Sequence, residues 1–226
     1  MRTDTGYTRG PIPIPRRRKL SNEIHTFLSI KAGMRMVTCE SSLEADAVYA
    51  AEGDPKIVWL CPQGLRLDRA IGMRPWYTLD LSTRTNLGLE THWEIKPDSE
   101  LVVGTDGTRE PKYWNEIVSA CAEHALNCGF KTSGDLEAQE QLIRNWQMLL
   151  PFAFIAYESP NAELLSLLEH WCRKEAQITL RHLIRVEPRH HPEVITAHLA
   201  RLLHAGQVTA QLESQEFTTN SKLSVP

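Results

Sequence analysis

Asp80, Glu94 and Lys96 are the residues of this chain whose types and spacing could do chemistry. Asp80 stands in YTLDL, and Glu94 and Lys96 close LETHWEIK just before Pro97. Side chains of an extended segment alternate, so Glu94 and Lys96 share a face with Gly88, Glu90 and His92. Leu87, Leu89, Thr91, Trp93 and Ile95 form the other face. Thirteen residues separate Asp80 from Glu94, and a hairpin would set the two carboxylates side by side. At about 4 Å they repel by about 4 kcal/mol at an effective dielectric near 20. A retained proton or a cation between them relieves that repulsion. Hard oxygen ligands with room left for water and phosphate suit Mg²⁺ or Mn²⁺. The Lys96 ammonium can orient a water, help deprotonate it, or stabilise the extra negative charge of a pentavalent phosphate. Glu44, on a helix ahead of the strands, could complete the metal shell. This is the D…E-x-K grammar of metal-dependent phosphodiester cleavage, although an ion pair on a solvated strand face also satisfies E-x-K.

The elements that must position these groups follow from the pattern. SSLEADAVYAAEGDP reads as a helix with Ser41 as N-cap and Gly53-Asp54-Pro55 as its stop. Ser41 and Glu44 also form a capping-box pattern, which gives Glu44 a structural alternative. KIVWLCPQGLRL, RPWYTLDLST and LETHWEIK read as three strand regions. A helix over about 111–127 and a short strand at GFKTSG complete a mixed α/β core. Helix, strand, strand with Asp, strand with E-x-K, helix, strand is the order of the restriction-endonuclease-like core.

A further helix over about 136–150 leads into PFAFIAYESPN, whose two prolines suggest a joint between domains. Beyond it, NAELLSLLEHWCRKEAQ is amphipathic, ITLRHLIRV is a short helix or strand, and PEVITAHLARLLHAGQV opens on Pro and stops at Gly206. QVTAQL and TTNSKLSV can then pair as a hairpin. Helices followed by such a hairpin suggest a winged helix-turn-helix. The expected organisation is a basic arm over 1–34, a nuclease domain over 35–150 and a winged-helix domain over 161–226. Of the six histidines from His170 to His204, surface or phosphate-contacting roles are expected rather than metal ligation. Trp114, Trp146 and Trp171 are expected in the core.

Composition narrows the classes. At 226 residues the chain holds one large domain or two small ones, with an ordinary hydrophobic content of 42%. No apolar run approaches the roughly 18 residues of a membrane span, so no membrane role is expected. The five cysteines are scattered without C-x-x-C, which excludes a disulfide framework and suits a reducing cytoplasm. A net charge of −3 argues against a protein that coats nucleic acid. The first 40 residues nevertheless carry eight Lys or Arg against three Asp or Glu. Arg16, Arg17, Arg18 and Lys19 are consecutive, a run that either docks on phosphate or remains a solvated tail.

SSLEADAVYAAEGDPKIVWLCPQGLRL, YTLDL and HWEIKPDSEL together resemble the N-terminal nuclease domain of TnsA, the endonuclease subunit of heteromeric, Tn7-like bacterial transposases. The resemblance covers roughly residues 35 to 135 and is carried by S-x-L-E-x-D, the D-P-x-V/I start of a strand with a following Gln, and E-x-K-P. Residue by residue, Glu44, Asp80 and Lys96 match the family's catalytic acid, metal-binding aspartate and lysine. Glu94 falls where members vary between Glu and Gln, and Gln63 matches the Gln of the second motif. The family's aspartate usually stands in a Pro-Asp-aromatic context, whereas here it is Leu79-Asp80-Leu81. The resemblance implies a Mg²⁺- or Mn²⁺-dependent endonuclease that cuts the 5′ strand of double-stranded DNA at transposon ends. It also implies an integrase-type (TnsB-like) transposase partner and an AAA+ (TnsC-like) regulator. A stand-alone phage, restriction or repair nuclease of the same fold is the alternative. From another class comes a non-catalytic DNA-binding or assembly protein, against which the intact Asp80, Glu94 and Lys96 speak.

Overall fold

The computed structural model describes residues 6–12, 23–104, 107–175 and 177–226, so Arg16, Arg17, Arg18 and Lys19 lie outside the described residues. The chain begins with β1 (Tyr7–Arg9), β2 (His25–Ser29), β3 (Arg35–Cys39), α1 (Ser42–Gly53), β4 (Ile57–Leu67), β5 (Tyr77–Thr85) and β6 (Glu90–Lys96). It continues through β7 (Leu101–Val103), β8 (Arg109–Pro111), α2 (Trp114–Ala122), β9 (Asn127–Thr132), α3 (Ser133–Glu137) and α4 (Glu140–Glu158). It closes with α5 (Ala162–Lys174), β10 (Ile178–Thr179), α6 (Leu180–Val186), α7 (Pro192–His204) and β11 (Lys222–Leu223). The protein is therefore mixed α/β, with one mixed five-stranded sheet and seven α-helices among the described residues. It divides into two compact units.

The first unit holds the described residues up to Phe27, with Met36–Ala51 and Lys56–Ala138. Its sheet runs β1-β4-β5-β6-β9. The first four strands are antiparallel, and β9 lies parallel to β6 after a crossover through α2. Ile117, Ala120 and Cys121 recur at helical spacing on α2 and bury against Leu65, Leu67, Tyr77 and Leu79. The helix is shorter than the expected 111–127. Tyr113 and Ala125 both adopt left-handed backbone and close off its two ends. In β4 the register shifts between Pro62 and Leu65, and Gln63 sits at φ +49° in this bulge. Gly64 beside it admits no side chain, since a Cβ there would lie 2.7 Å from the Ser82 hydroxyl.

The second unit holds Leu28–Arg35, Glu52–Pro55 and Gln139–Pro226. Its limits differ from the expected 35–150 and 161–226. PFAFIAYESPN is not a joint, because α4 runs through most of it with Pro151 in its interior. An interior proline costs roughly 3 kcal/mol. Trp146, Leu149, Leu150, Ala153 and Phe154 are all buried on this helix, and burying a large apolar side chain is worth about 2 kcal/mol. Packing outweighs the proline. Asn161 and Thr179 cap α5 and α6 by accepting from the backbone N–H groups of Leu164 and His182. Pro192 opens α7 and Gly206 follows its end, as the sequence implies. The terminal strand β11 pairs with β10, and only the Thr209–Ser224 bridge remains of the expected hairpin.

Two histidines expected on the surface are buried in this unit. His198 Nε2 accepts from the Asn161 N–H at 3.0 Å. His204 Nε2 lies 2.8 Å from a carboxylate oxygen of buried Glu52, whose other oxygen accepts from the Ser29 hydroxyl and the Lys31 N–H. Trp146 is buried as expected, while Trp114 and Trp171 are half-buried. No helix among the described residues is long and apolar enough to cross a membrane.

Candidate active site at the end of the β5–β6 hairpin

Pairing of Leu81 with Trp93 and Ser82 with His92 brings Asp80 and Glu94 to adjoining positions at the end of the hairpin. The Asp80 carboxylate then takes over from the backbone ladder, accepting the Ile95 N–H at 2.7 Å. Lys96 Nζ donates to Asp80 Oδ2 at 3.1 Å, to Glu94 Oε1 at 2.6 Å and to its own neighbour's carbonyl, Ile95 O, at 3.1 Å. The three residues singled out for chemistry therefore meet. Their face is not the solvated one that an ordinary ion pair would need. Glu94 is 0% exposed and His92 is buried on the same face, while Lys96 and Asp80 beside them stay partly exposed.

Tyr77, which the sequence reading does not name, donates its hydroxyl to Glu94 Oε1. The other Glu94 oxygen, Oε2, is buried without a hydrogen-bond partner. Beyond the hairpin, Asp98 Oδ2 accepts from Ser133 Oγ at 2.6 Å and from the Gly134 N–H at 2.7 Å. That contact ties the segment carrying Lys96 to the start of α3. All of this opens onto a cleft of about 800 Å³ whose lining includes Glu44, Gln63, Asp80, Glu94 and Lys96. Gln63 reaches it from the strained bulge of β4, a conformation that persists where the surroundings enforce it.

Glu44 makes the capping contacts that the sequence offers and also faces the cleft. It closes the start of α1, with Oε1 accepting from Ser41 Oγ at 3.1 Å and Oε2 from the Glu40 N–H at 3.0 Å. It also lines the cleft, where burial and then the nearby Asp80 charge push its carboxyl up to about 7. Burial and then Asp80 likewise push Glu94 up to about 7, against the pull of Lys96. Asp80 is raised by burial, and the Lys96 charge opposes the rise. Burial works against the Lys96 ammonium, but Asp80 and Glu94 outweigh it and hold its pKa above the ordinary value. Lys96 is therefore a fixed positive charge at neutral pH. Cys39 nearby is pushed up to about 12 by burial and then by Glu44 and Asp80, so it stays a thiol.

The donor set suits a hard divalent cation in chemistry: Glu44, Asp80 and Glu94 offer oxygens only, and one of them is buried and unpartnered. Among the described residues, however, no three His, Cys, Asp or Glu groups are gathered closely enough to hold a metal ion. The Lys96 ammonium stands between Asp80 and Glu94.

The two roles of Glu44 separate in one substitution. Glu44→Gln keeps an oxygen for the Glu40 N–H and should melt within a few degrees of wild type, while the phosphodiester cleavage expected from the sequence should fall about a hundredfold. The pH dependence has a definite sign. Glu44 is raised from an ordinary 4.5 to about 7 in the folded chain, so between those values the folded state holds a proton the unfolded state has lost. Stability from this group is complete below 4.5 and is lost as pH rises to about 7. Glu44→Gln should flatten that fall in melting temperature, measured without divalent cations. Unchanged cleavage would leave Glu44 as a helix cap alone.

No family model matches the chain, and a search of curated proteins found no match.

Proposed function

We propose that this chain is a metal-dependent DNA endonuclease of restriction-endonuclease-like fold that cuts the 5′ strand at transposon ends as a TnsA-type subunit. The observation that carries the reading is the convergence of Asp80, Glu94 and Lys96 at one strand end in an open cleft, with Glu44 on its lining. A helix, three antiparallel strands, a helix and a parallel strand support the fold assignment. Drawn closer together than they stand here, Asp80, Glu94 and Glu44 would hold Mg²⁺ or Mn²⁺, which when bound supplies Lewis-acid polarisation of the phosphoryl oxygens. Lys96, charged throughout the neutral range, relieves the repulsion between the two carboxylates and offers an ammonium to negative charge developing on the phosphate. Glu44, held at the start of α1 by Ser41 and the Glu40 N–H, would bring its carboxylate to that metal from the cleft lining. Tyr77 fixes the orientation of Glu94.

The order α5, β10, α6, α7 and β11, with its small antiparallel pairing, supports a winged helix-turn-helix reading of the second unit. In that reading α7 would be the recognition helix. A helix that reads the major groove needs an open face, yet from Ile195 to His204 only Thr196 and Arg201 are even half-exposed. Only the first turn, Pro192, Glu193 and Val194, is exposed, and it carries an acid and no base, which speaks against reading DNA. This also weakens the alternative of a DNA-binding protein without catalysis.

With little visible means of choosing a site, the isolated chain should be a poor nuclease. The test incubates the protein with Mg²⁺ or Mn²⁺ and labelled DNA carrying a transposon end, with and without an integrase-type transposase that acts on that end. Cutting near the 5′ end should require the partner and the metal together. Efficient degradation of arbitrary DNA by the lone protein would favour a stand-alone nuclease instead.

A further inference from the structure

One wall of the cleft carries features that the cleavage chemistry does not use. Between β4 and β5 the chain makes a tight turn at Ile71–Arg74, closed by Ile71 N–H to Arg74 O at 3.0 Å and Arg74 N–H to Ile71 O at 3.1 Å. Ile71 is buried in the core, and the Gly72 N–H donates to Glu116 on α2 at 2.8 Å. Gly72 stands at φ +56° against the Tyr113 ring, where a Cβ would lie 2.5 Å away. The turn is therefore pinned from below. Its tip, Met73, is 97% exposed, and Trp76, three residues on, is 44% exposed and lines the cleft. Arg74, also on the cleft wall, forms no ion pair among the described residues and lies over the Tyr77 ring at 5.6 Å. The Arg66 guanidinium lies 5.9 Å from the Trp76 ring.

A pinned loop loses little entropy on binding, so an apolar tip on it is pre-organised for insertion. Apolar wedges beside cationic groups unstack base steps, and exposed aromatics take the freed base on their faces. The charges fit the same occupant, because an unpaired guanidinium beside a phosphodiester site complements a nucleic-acid backbone. We propose that Met73 and Trp76 form a wedge and stacking platform, so that this cleft selects DNA whose base pairs are opened where the strand enters it. Arg74 holds the phosphate of the displaced nucleotide. The inference rests on the nucleic-acid part of the reading above and not on cleavage.

The experiment measures binding of the full chain to two short duplexes, one fully paired and one with a small central bubble, by fluorescence anisotropy in Ca²⁺. Tryptophan emission is followed in parallel. The bubble should bind about tenfold more tightly. Trp76→Ala and Met73→Ala should erase most of that preference, and Trp76→Phe should keep it while losing the quenching of tryptophan emission. Both side chains are exposed, so melting temperatures should stay at the wild-type value. Equal binding of the two duplexes, or a preference untouched by Trp76→Ala, overturns the inference and leaves the nuclease reading intact. Loss of assembly with the partner transposase in Trp76→Ala, with DNA binding unchanged, would make the tip a protein contact and also overturn it. If the preference holds but no metal or partner ever yields cleavage, the wedge stands and the nuclease reading falls.

Discussion

Lys96→Ala should lower strand cleavage by at least about a thousandfold, as expected when a pre-organised charge is removed from the transition state. Asp80→Ala should do the same. Lys96 lies 3.1 Å from Asp80 and 2.6 Å from Glu94, and its pKa is held above the ordinary ammonium value by those two charges. A group so placed acts as a constant charge and not as a titrating base. Lys96→Arg should therefore fail as well, because its retained charge sits on a broad planar guanidinium that cannot replace a compact ammonium between two carboxylates. Stability provides the control. Without Lys96, buried Glu94 can keep a proton instead of a cation, so the variant should fold. Its melting temperature should fall more at pH 8 than at pH 6, where that proton is easier to hold. Single-strand cleavage in the assembled complex, read beside thermal melting at both pH values, checks the prediction. On the proposed TnsA-type reading, Lys96→Ala should leave processing of the 3′ strand by a partner transposase unaffected. Wild-type cutting by the Asp80 or the Lys96 variant would remove that residue from the mechanism.

The site was legible in the sequence where period-two alternation and strand order decide the geometry. Asp80, Glu94 and Lys96 lie on strands whose hairpin connection leaves little choice of register, and they meet as expected. Whether that face is wet or buried was not legible. His92, Glu94 and Lys96 read as polar, yet Glu94 is sealed because Tyr77 and Lys96 satisfy one of its oxygens. Tyr77 carried no signal, since its partner lies seventeen residues away on another strand. Short strands were missed for a similar reason. β1 has three residues and is defined by pairing with β4 rather than by any pattern of its own. Helix α4 runs past Pro151, where a local rule for stopping a helix met a buried stripe running on both sides of it. The role of Glu52 was equally hidden. A glutamate near a helix end reads as surface, but here it is buried among Ser29, Lys31 and His204.

The fragment 161–226, which the sequence marks as a winged-helix domain, should not fold when made alone. In the second unit α7 packs chiefly on α4, and α4 lies wholly outside that fragment. Leu142, Ile143, Trp146, Leu149, Leu150 and Phe154 would all be lost from this core. At about 2 kcal/mol for each large apolar side chain, the six together are worth about 12 kcal/mol, comparable to the whole stability of a domain, about 5–15 kcal/mol. Polar groups suffer too. Asn145 accepts the Phe217 N–H and donates to Leu212 O and Gln215 O, all at 2.8 Å, and so organises the segment between α7 and β11. Tyr157 faces His204, and Arg201 donates to Ala156 O at 2.9 Å. A fragment over 139–226 regains all of these contacts but still lacks Glu52, the partner of His204 Nε2. Circular dichroism and thermal melting should show 161–226 without a cooperative transition. The longer fragment should melt cooperatively, at a temperature below that of the full chain. A cooperative transition in 161–226 would mean that α5, α6 and α7 hold a sufficient core without α4, and the burial of α7 would then have to be explained within those three helices.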